Sequence, residues 1–235
     1  MNLQRLDKII SSQFNVSRST ARKHIGWGRV TVNGKKYHDP SLQFDPNTAS
    51  IEYSGQALEY KEHIYLVLNK PAGIISASDD KTRETVVDLV PESLKRNGLF
   101  PVGRLDRDTT GILLITDDGD FSHSIIHPKK KIAKSYVAEL DGTPTEEAVT
   151  AFEKGVILAD GTQCKPAKLI LSGGNTAIVT ISEGKYHQIK RMFGTLGLGV
   201  NRLKRISIGS LPLPEDLAEG ECRELTKVEI TKIFE

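Results

Sequence analysis

The feature that most constrains the fold is an apolar run that directly follows a charged loop. Residues 112–115 read Ile-Leu-Leu-Ile, which has the length and composition of a buried strand. The loop before it carries Arg104, Asp106 and Asp108. Charged groups at the mouth of a buried strand are costly unless they pair or do chemistry, so this loop is a candidate functional segment. A solvated turn is the alternative that the loop alone would favour.

The totals describe an ordinary globular protein. The chain has 235 residues, 38% hydrophobic and 26% charged, with room for one large domain or two unequal ones. No apolar run is long enough for a membrane span, and the first residues lack the apolar core of a signal peptide. Cys164 and Cys222 are far apart and the six histidines are scattered, so we expect no metal and a reduced, cytoplasmic setting.

The charge is distributed unevenly along the chain. The formal net charge is only +2, yet residues 1–36 hold eight Lys or Arg against a single acid, Asp7. Such segregation predicts a face that binds a polyanion. The candidate RNA-binding residues in this segment are Arg5, Lys8, Arg18, Arg22, Lys23 and Arg29.

The same N-terminal segment has the pattern of two helices and a hairpin. Apolar residues recur at helical spacing over 3–13, and Ser17 can cap a second helix over about 18–27. Residues 29–37 then predict a hairpin, because Asn33-Gly34 supplies the positive φ angles of a two-residue turn. A compact module with a basic helical face is therefore expected at the start of the chain.

In its sequence this segment resembles the S4 domain. The resemblance rests on R-L-D-K-I-I, then S-R-S-T-A-R-K-H-I, then G-R-V-T-V-N-G, and it covers about 55 residues. Turn-forming residues such as Pro40 and Gly55 follow, and they favour a boundary near 57–62. We therefore expect an S4-like RNA-binding domain over 1–58 and a larger domain over 62–235.

The larger part of the chain alternates between strand and helix patterns. A strand at 64–68 runs into Lys70-Pro71-Ala72-Gly73, which places a cation on a rigid turn. The pattern alone allows Lys70 to be an edge charge or to lie beside an active cleft. Lys134 and Tyr136 lie two apart on a predicted strand and so share one face. Further strands are predicted at 112–116, 133–140, 167–172, 176–182 and 200–208, and helices at 84–90, at 121–126, from 143, from 184 and from 226.

Two metal-dependent interpretations of the acidic loop compete with a metal-free one. Asp106-Arg107-Asp108-Thr109 formally fits the Asp-x-Asp-x-Thr motif of haloacid-dehalogenase-type phosphotransferases, but that motif follows an apolar strand instead of preceding one. The same acids partly imitate a calcium loop, but its twelfth position is Asp117 where glutamate is expected. Both matches are weak.

Four blocks in order carry a stronger resemblance. They are the lysine turn at 70–73, G-R-L-D-R-D-T-T-G-I-L-L-I-T-D-D-G-D, Lys134-Ser135-Tyr136, and E-G-K-Y-H-Q-I-K-R-M-F. In this order, behind an S4-like module, they resemble the pseudouridine synthases, in particular the small-subunit rRNA branch, over essentially the whole chain. The resemblance implies an α+β fold with a mixed, mainly antiparallel sheet in the catalytic domain.

The resemblance also implies roles for individual residues. Asp106 is the catalytic carboxylate, acting as a nucleophile at C1′ of the target nucleotide or as a base at its ribose 2′ position. Lys190 is the first candidate for the cation that keeps Asp106 ionised, with Arg191 behind it. Arg104 holds the flipped nucleotide's phosphate or the gap that it leaves, and Tyr136 lies against the base.

Three further residues are given supporting roles. Lys70 is expected beside the active cleft as a substrate-binding cation. His187, at a helix start, is interpreted as structural. Asp108 is expected to orient the loop through the amides of Thr109 and Thr110.

The implied substrate is a single uridine of small-subunit rRNA, position 516 of the 16S molecule. A synthase that acts on 23S rRNA is the close alternative, and a non-catalytic RNA-binding or ribosome-assembly protein is a remoter one. Isomerisation of uridine needs no oxidant and no energy source, so no cofactor is expected. The expected partner is rRNA or a small-subunit assembly intermediate, without a membrane, and the protein is expected to be a monomer.

Overall fold

The computed structural model describes residues 2–235, which form two compact units. The first contains the described residues up to Ile64 together with 91–99, and the second contains 65–90 and 100–235. The boundary at 58–62 stays a prediction. Segment 91–99, which the sequence assigned to the catalytic domain, belongs to the first unit, because the Asn97 side chain donates to the backbone carbonyls of Ser11 (2.9 Å) and Val16 (2.8 Å).

The first unit places two helices against a small sheet. Its helices are α1 (Leu6–Gln13) and α2 (Arg18–Gly26). Strands β1 (Gln4–Arg5) and β4 (Gln43–Phe44) pair with each other, and a second sheet has the order β3-β2-β5-β6, from β2 (Val30–Val32), β3 (Lys35–Lys36), β5 (Ile51–Tyr53) and β6 (Gln56–Ala57). The buried core consists of Leu6, Ile9, Ile10, Ala21, Ile25, Val30, Val32 and Ile51.

The local predictions for this unit agree with the structure except at the first helix. The Ser17 side chain accepts a hydrogen bond from the Thr20 amide (3.0 Å) and caps α2. Asn33 and Gly34 have φ angles of 50° and 76°, as the predicted two-residue turn requires. Helix α1 begins at Leu6 instead of at residue 3, because residues 4 and 5 pair with β4.

The second unit is built on one mixed sheet with the order β11-β12-β10-β13-β9-β7-β15. Two further short strands join it, β14 beside β13 and β8 beside β9. Only the β13–β9 pair is parallel among the described strands, which agrees with the predicted mixed, mainly antiparallel sheet. The strands are β7 (Tyr65–Lys70), β8 (Phe100–Pro101), β9 (Thr110–Thr116), β10 (Lys134–Leu140), β11 (Lys168–Leu171), β12 (Thr176–Ile181), β13 (Val200–Ile208), β14 (Leu211–Pro212) and β15 (Cys222–Glu224).

Four helices complete this unit: α3 (Gly119–Ile126), α4 (Glu146–Lys154), α5 (Gln188–Thr195) and α6 (Lys227–Lys232). Phe152 of α4 and Phe193 of α5 are fully buried and their ring centroids lie 4.9 Å apart. Helix α6 begins with a capping box formed by Thr226 and Glu229. Among residues 2–235 no helix is long and apolar enough to cross a membrane.

The helix predicted over 84–90 is wrong. The Thr85 amide and hydroxyl both donate to the Asp88 carboxylate at 2.8 Å, so the side chain of Asp88 replaces a helical backbone partner. Thr85 also forms an isolated bridge with Ile75. Pro91 follows directly, and a residue before proline avoids the helical region. The segment consists of turns.

Gly111 allows the two parallel strands to meet. It lies opposite Arg205 in the β9–β13 register and has a φ of +100°. A Cβ at this position would lie 2.1 Å from the Arg205 carbonyl oxygen. Only glycine fits both the backbone angle and the close approach. The strand that follows the acidic loop is thereby joined to the strand that carries Arg205.

Replacing Gly111 with alanine should lower the free energy of unfolding by about 2–5 kcal/mol, since left-handed strain adds to a steric clash. Gly173→Ala is the matched control, because Gly173 has a φ of +87° but no heavy atom within 4 Å of a Cβ. That control should lose only about 1–2 kcal/mol in urea denaturation. Equal losses would show that the close approach at Gly111 is unimportant.

Candidate active site

The acidic loop leaves β8 and returns to the sheet through backbone contacts on both sides. The Val102 amide donates to the Leu114 carbonyl (2.8 Å). The Leu105 amide donates to the Ser76 hydroxyl (3.0 Å), and that hydroxyl donates to the Leu105 carbonyl (2.9 Å). Leu105 is itself buried. These hydrogen bonds and the buried Leu105 side chain therefore hold the segment that carries Asp106 in one conformation.

Lys70 ties the second half of this loop to the end of β7. Its side chain is fully buried, and its ammonium donates to the carbonyls of Arg107 (3.2 Å), Thr109 (3.0 Å) and Pro71 (2.9 Å). Burial lowers its pKa to about 8, against the opposing charges of Asp108, Asp106 and Glu219. Lys70 was predicted to bind substrate. Its three donors are instead used on backbone carbonyls, so it holds the loop from below.

Asp106 faces the start of α5. Its side chain is 30% exposed, and its Oδ1 lies 3.5 Å from Nε2 of His187. His187, which has a φ of 47° in the left-handed region, thus places its imidazole beside the Asp106 carboxylate. From the sequence, His187 was expected to have a structural role only. Its position beside Asp106 could not be read from spacing, since 81 residues separate the two along the chain.

The cation predicted for Asp106 pairs with the other carboxylate. The Lys190 ammonium contacts both carboxylate oxygens of Asp108 at 2.6 Å. This contact lowers the pKa of Asp108, although its burial acts in the opposite direction. The expectation that Asp108 orients the loop through the amides of Thr109 and Thr110 is also replaced, because Lys190 is its recorded side-chain partner.

Arg191, the second candidate for that cation, turns away from the loop. Its guanidinium pairs with Asp160 at 2.5 Å, and a second nitrogen donates to the Tyr186 carbonyl at 3.4 Å. The structure therefore brings neither Lys190 nor Arg191 into an ion pair with Asp106. Lys190 and Arg191 lie two and three residues after Gln188, the first residue of α5, and consecutive helix residues point in different directions, so the two cations reach different carboxylates.

Tyr136 is 7% exposed and lies on β10 directly opposite Arg205. The Arg205 guanidinium lies 6.0 Å from the centroid of the Tyr136 ring. Arg205 is almost fully buried, and its Nε donates to the Ile112 carbonyl at 2.8 Å. The alternating pattern of β13 did not single out Arg205 from Arg202 and Lys204. Only the register between strands shows which of them lies beneath the tyrosine.

The metal-dependent interpretations of the loop do not fit these contacts. Asp108 is bound to Lys190. The Asp118 side chain caps α3 by accepting from the Asp120 and Phe121 amides, and it also accepts from the Tyr65 hydroxyl at 2.8 Å. The acids that would have to converge on one ion thus have separate partners.

The remaining site residue, Arg104, is exposed on the loop beside Asp106. A groove of about 670 Å³ also lies next to the loop, lined in part by Asp108, Val137 and Lys204. Val137 alternates with Tyr136 along β10, so this groove lies on the opposite face of the sheet from the tyrosine.

In the first unit, the predicted RNA-binding arginines surround one buried acid. Asp7 is fully buried and accepts from Arg5 (3.1 Å), Arg18 (3.0 Å) and Arg22 (2.8 Å). Burial opposes ionisation, but these three hydrogen bonds outweigh it and hold the Asp7 pKa well below its ordinary value. The three guanidinium groups remain 40–53% exposed. The exposed residues Lys8, Lys23 and Arg29 complete the predicted set.

Comparison with known proteins identifies the family of each unit. Residues 64–195 match the family model of RNA pseudouridylate synthases, and residues 4–49 match that of the S4 domain. The chain belongs to the RNA pseudouridylate synthase family. The predicted enzyme class, the S4 resemblance and the α+β fold of the synthase are confirmed.

Relatives cover nearly the whole chain. An uncharacterized RNA pseudouridine synthase of Bacillus subtilis is 41% identical over 96% of both chains. Ribosomal small subunit pseudouridine synthase A of Escherichia coli is 39% identical over 97% of this synthase and 99% of that protein. A crystal structure of a pseudouridylate synthase is 39% identical, with a TM-score of 0.69 and coverage of 97% of this chain and 99% of that one.

Replacing Lys70 with methionine should lower the free energy of unfolding at pH 7 by on the order of 2–4 kcal/mol, because three carbonyls lose a charged donor. The pKa of about 8 lies below the ordinary 10.5. Between these values the unfolded chain binds more protons than the folded one, so the contribution of Lys70 to stability rises with pH in that window. Urea denaturation from pH 7 to 10.5 should show a wild-type advantage that grows. An advantage that shrinks would contradict the lowered pKa.

Replacing Asp7 with asparagine should lower the free energy of unfolding by about 2–3 kcal/mol, since three arginines lose their shared counter-charge. RNA affinity should fall as well, because the guanidinium groups are no longer fixed in one array. Denaturation and filter binding measure the two effects. Glu52→Gln, which neutralises an exposed acid of the same unit, should leave both unchanged. Wild-type behaviour of the Asp7 variant would reject this role.

Proposed function

We propose that this synthase isomerises one uridine of small-subunit rRNA to pseudouridine, at the position equivalent to 516 of the 16S molecule, with Asp106 as the catalytic carboxylate. The observation that carries the proposal is that the two carboxylates of the acidic loop have different partners. Asp108 is committed to Lys190, whereas Asp106 is part-exposed with a histidine beside it. A carboxylate that acts on a substrate must be accessible and oriented, and Asp106 meets both conditions.

The reaction breaks the N1–C1′ bond, turns the base and joins C5 to C1′. C5 then loses its hydrogen as a proton and N1 gains a proton, so that the product is an isomer of uridine. In this proposal Asp106 acts as a nucleophile at C1′ or as a base at the 2′ position. The uridine must first leave its stack, and its base then lies against Tyr136. Arg104, exposed on the same loop, holds the phosphate of the flipped nucleotide or fills the gap. Lys190 and Arg191 contribute positive charge near the RNA strand.

The first unit supplies RNA affinity in this proposal. Arginines held at Asp7, with Lys8, Lys23 and Arg29, offer an array of cations to phosphates. The substrate is then rRNA alone or within a small-subunit assembly intermediate. We also propose that the protein acts as a monomer in the cytoplasm, which size-exclusion chromatography and cell fractionation would test.

The 23S molecule is the second candidate substrate, because one specific comparison favours it. Ribosomal large subunit pseudouridine synthase B of Bacillus subtilis is 38% identical over 98% of this chain and 96% of that protein. That identity is nearly the same as for the small-subunit relatives. Overall likeness therefore does not separate the two substrates, and a direct assay is needed.

A tritium-release assay with C5-labelled uridine distinguishes 16S rRNA from 23S rRNA as the substrate. Transcripts of 16S and 23S rRNA, and partly assembled small-subunit particles, are offered to the purified protein. We expect one equivalent of tritium from 16S rRNA or its particle and none from 23S rRNA. Release from 23S rRNA alone would overturn the small-subunit assignment. No release from any of them would support a non-catalytic RNA-binding role.

Asp106→Asn should lower the single-turnover rate of tritium release by at least about 10³-fold, since the amide cannot act as nucleophile or base. RNA affinity should be largely retained. Asp108→Asn is the matched control two residues away. Its pair with Lys190 is 72% exposed on the Asp108 side, so the loss should stay below about tenfold. The assignment of the two carboxylates would be reversed if Asp108→Asn caused the larger loss.

A further inference from the structure

An exposed aromatic ring lies beside the candidate catalytic carboxylate. Tyr186 is 75% exposed and stacks on His187, with ring centroids 3.9 Å apart and planes 17° from parallel. Nε2 of the same histidine lies 3.5 Å from Asp106. The outer face of the tyrosine ring is therefore open, while its inner face rests on the histidine that lies beside Asp106. Tyr186 was not singled out by the sequence.

The segment that presents this ring is fixed. His187 adopts φ 47° and ψ 35°, a left-handed conformation that costs a non-glycine residue energy. Gln188 is buried, accepts from the Lys185 amide (2.9 Å) and donates to Glu183 (2.9 Å). Arg191 donates to the Tyr186 carbonyl. Strain of this kind persists only where the surroundings determine it, and here the surroundings hold an aromatic ring out towards solvent.

Folding gives no reason for this placement. A tyrosine gains stability by burying its ring, and Tyr186 leaves most of its surface in water. Three cations lie close to it along the segment. They are Lys185, Lys190 and Arg191, which pair with Glu183, Asp108 and Asp160. An open aromatic face among cations is the arrangement by which proteins bind unpaired nucleotides, because the cations attract phosphates and the ring stacks on a base.

We propose that the outer face of Tyr186 is a stacking subsite for the unpaired base next to the target uridine in the RNA strand. This inference rests on the proposed function. When the uridine flips out, a neighbouring base loses a stacking partner, and an aromatic side chain can replace it. His187 lies between this ring and Asp106, so a base on Tyr186 also fixes the histidine against the carboxylate. Tyr186 binds a base and His187 is a positioning residue.

The direct test reads base stacking without requiring turnover. A small-subunit rRNA fragment carries 2-aminopurine either 5′ or 3′ to the target uridine, and its fluorescence is followed on binding. Wild-type protein should quench the probe at one of the two positions, and Tyr186→Ala should not. Tyr186→Phe keeps the ring and should quench as the wild type does. Because Tyr186 is exposed, its replacement by alanine should leave the midpoint of urea denaturation unchanged.

A second measurement tests the same contact through affinity. Tyr186→Ala should weaken binding of the unmodified fragment on the order of tenfold, as loss of one base–aromatic stack does. With an abasic nucleotide at the quenched position, wild type and Tyr186→Ala should bind equally. Equal quenching by wild type, Tyr186→Ala and Tyr186→Phe would overturn the subsite. So would an affinity difference between wild type and Tyr186→Ala that is as large on abasic RNA as on the unmodified fragment. A Tyr186→Phe variant that does not quench the probe would also overturn it, because the contact would then depend on the hydroxyl and not on the ring.

The outcome can be separated from the fate of the proposed function. If wild-type protein releases no tritium from 16S rRNA or from the partly assembled particle, the proposed function fails, whatever the probe shows. If wild-type protein releases tritium from either of them but the probe is unaffected by Tyr186→Ala, the subsite alone fails. A His187→Gln variant adds a readout of positioning, since kcat should fall by more than KM changes. Loss of affinity with unchanged kcat would reject the positioning role of His187.

Discussion

The buried ammonium of Lys70 is the interaction on which the candidate site depends. It lies at the end of β7 and binds the carbonyls of Arg107 and Thr109, so the loop is fastened to the sheet on both sides of Asp108. A buried charge is costly, and its lowered pKa reflects that cost. The cost is offset by three charge-assisted hydrogen bonds. Together with Gly111, which joins β9 to β13, this contact fixes where the acidic loop begins and ends.

The fixed loop gives its two carboxylates different surroundings. Asp108 faces Lys190 and is neutralised by a close ion pair, whereas Asp106 faces His187. The contacts of His187 extend to Tyr186, the exposed ring at the start of α5. Arg205 lies beneath Tyr136 from the neighbouring strand. In the function we propose, one loop, one strand pair and one helix start supply separate groups for chemistry, for base contact and for RNA attraction.

The sequence predicted the elements of this fold well, because hydrophobic period, caps and turn residues are local signals. Ser17, Asn33-Gly34 and the strand predicted at 112–116, which the structure extends to Thr110–Thr116, are examples. It failed at 84–90, where one side chain, Asp88, replaced the backbone partner of a helix. It also failed on ion pairs. Whether Lys190 meets Asp106 or Asp108 depends on a difference of a few ångströms between α5 and the loop, and no spacing along the chain encodes that distance. The burial of Lys70 was missed for the same reason.

The central claim is that Asp106, on a loop held by Lys70, acts on one uridine of small-subunit rRNA. The most direct test is to map pseudouridine in the rRNA of cells that lack this gene and carry either the wild-type or the Asp106→Asn copy. The account predicts that a single small-subunit position loses pseudouridine on deletion, regains it with the wild-type copy and stays unmodified with Asp106→Asn. Modification restored by the Asp106→Asn copy, or a lost position that lies in the large-subunit rRNA, would contradict it.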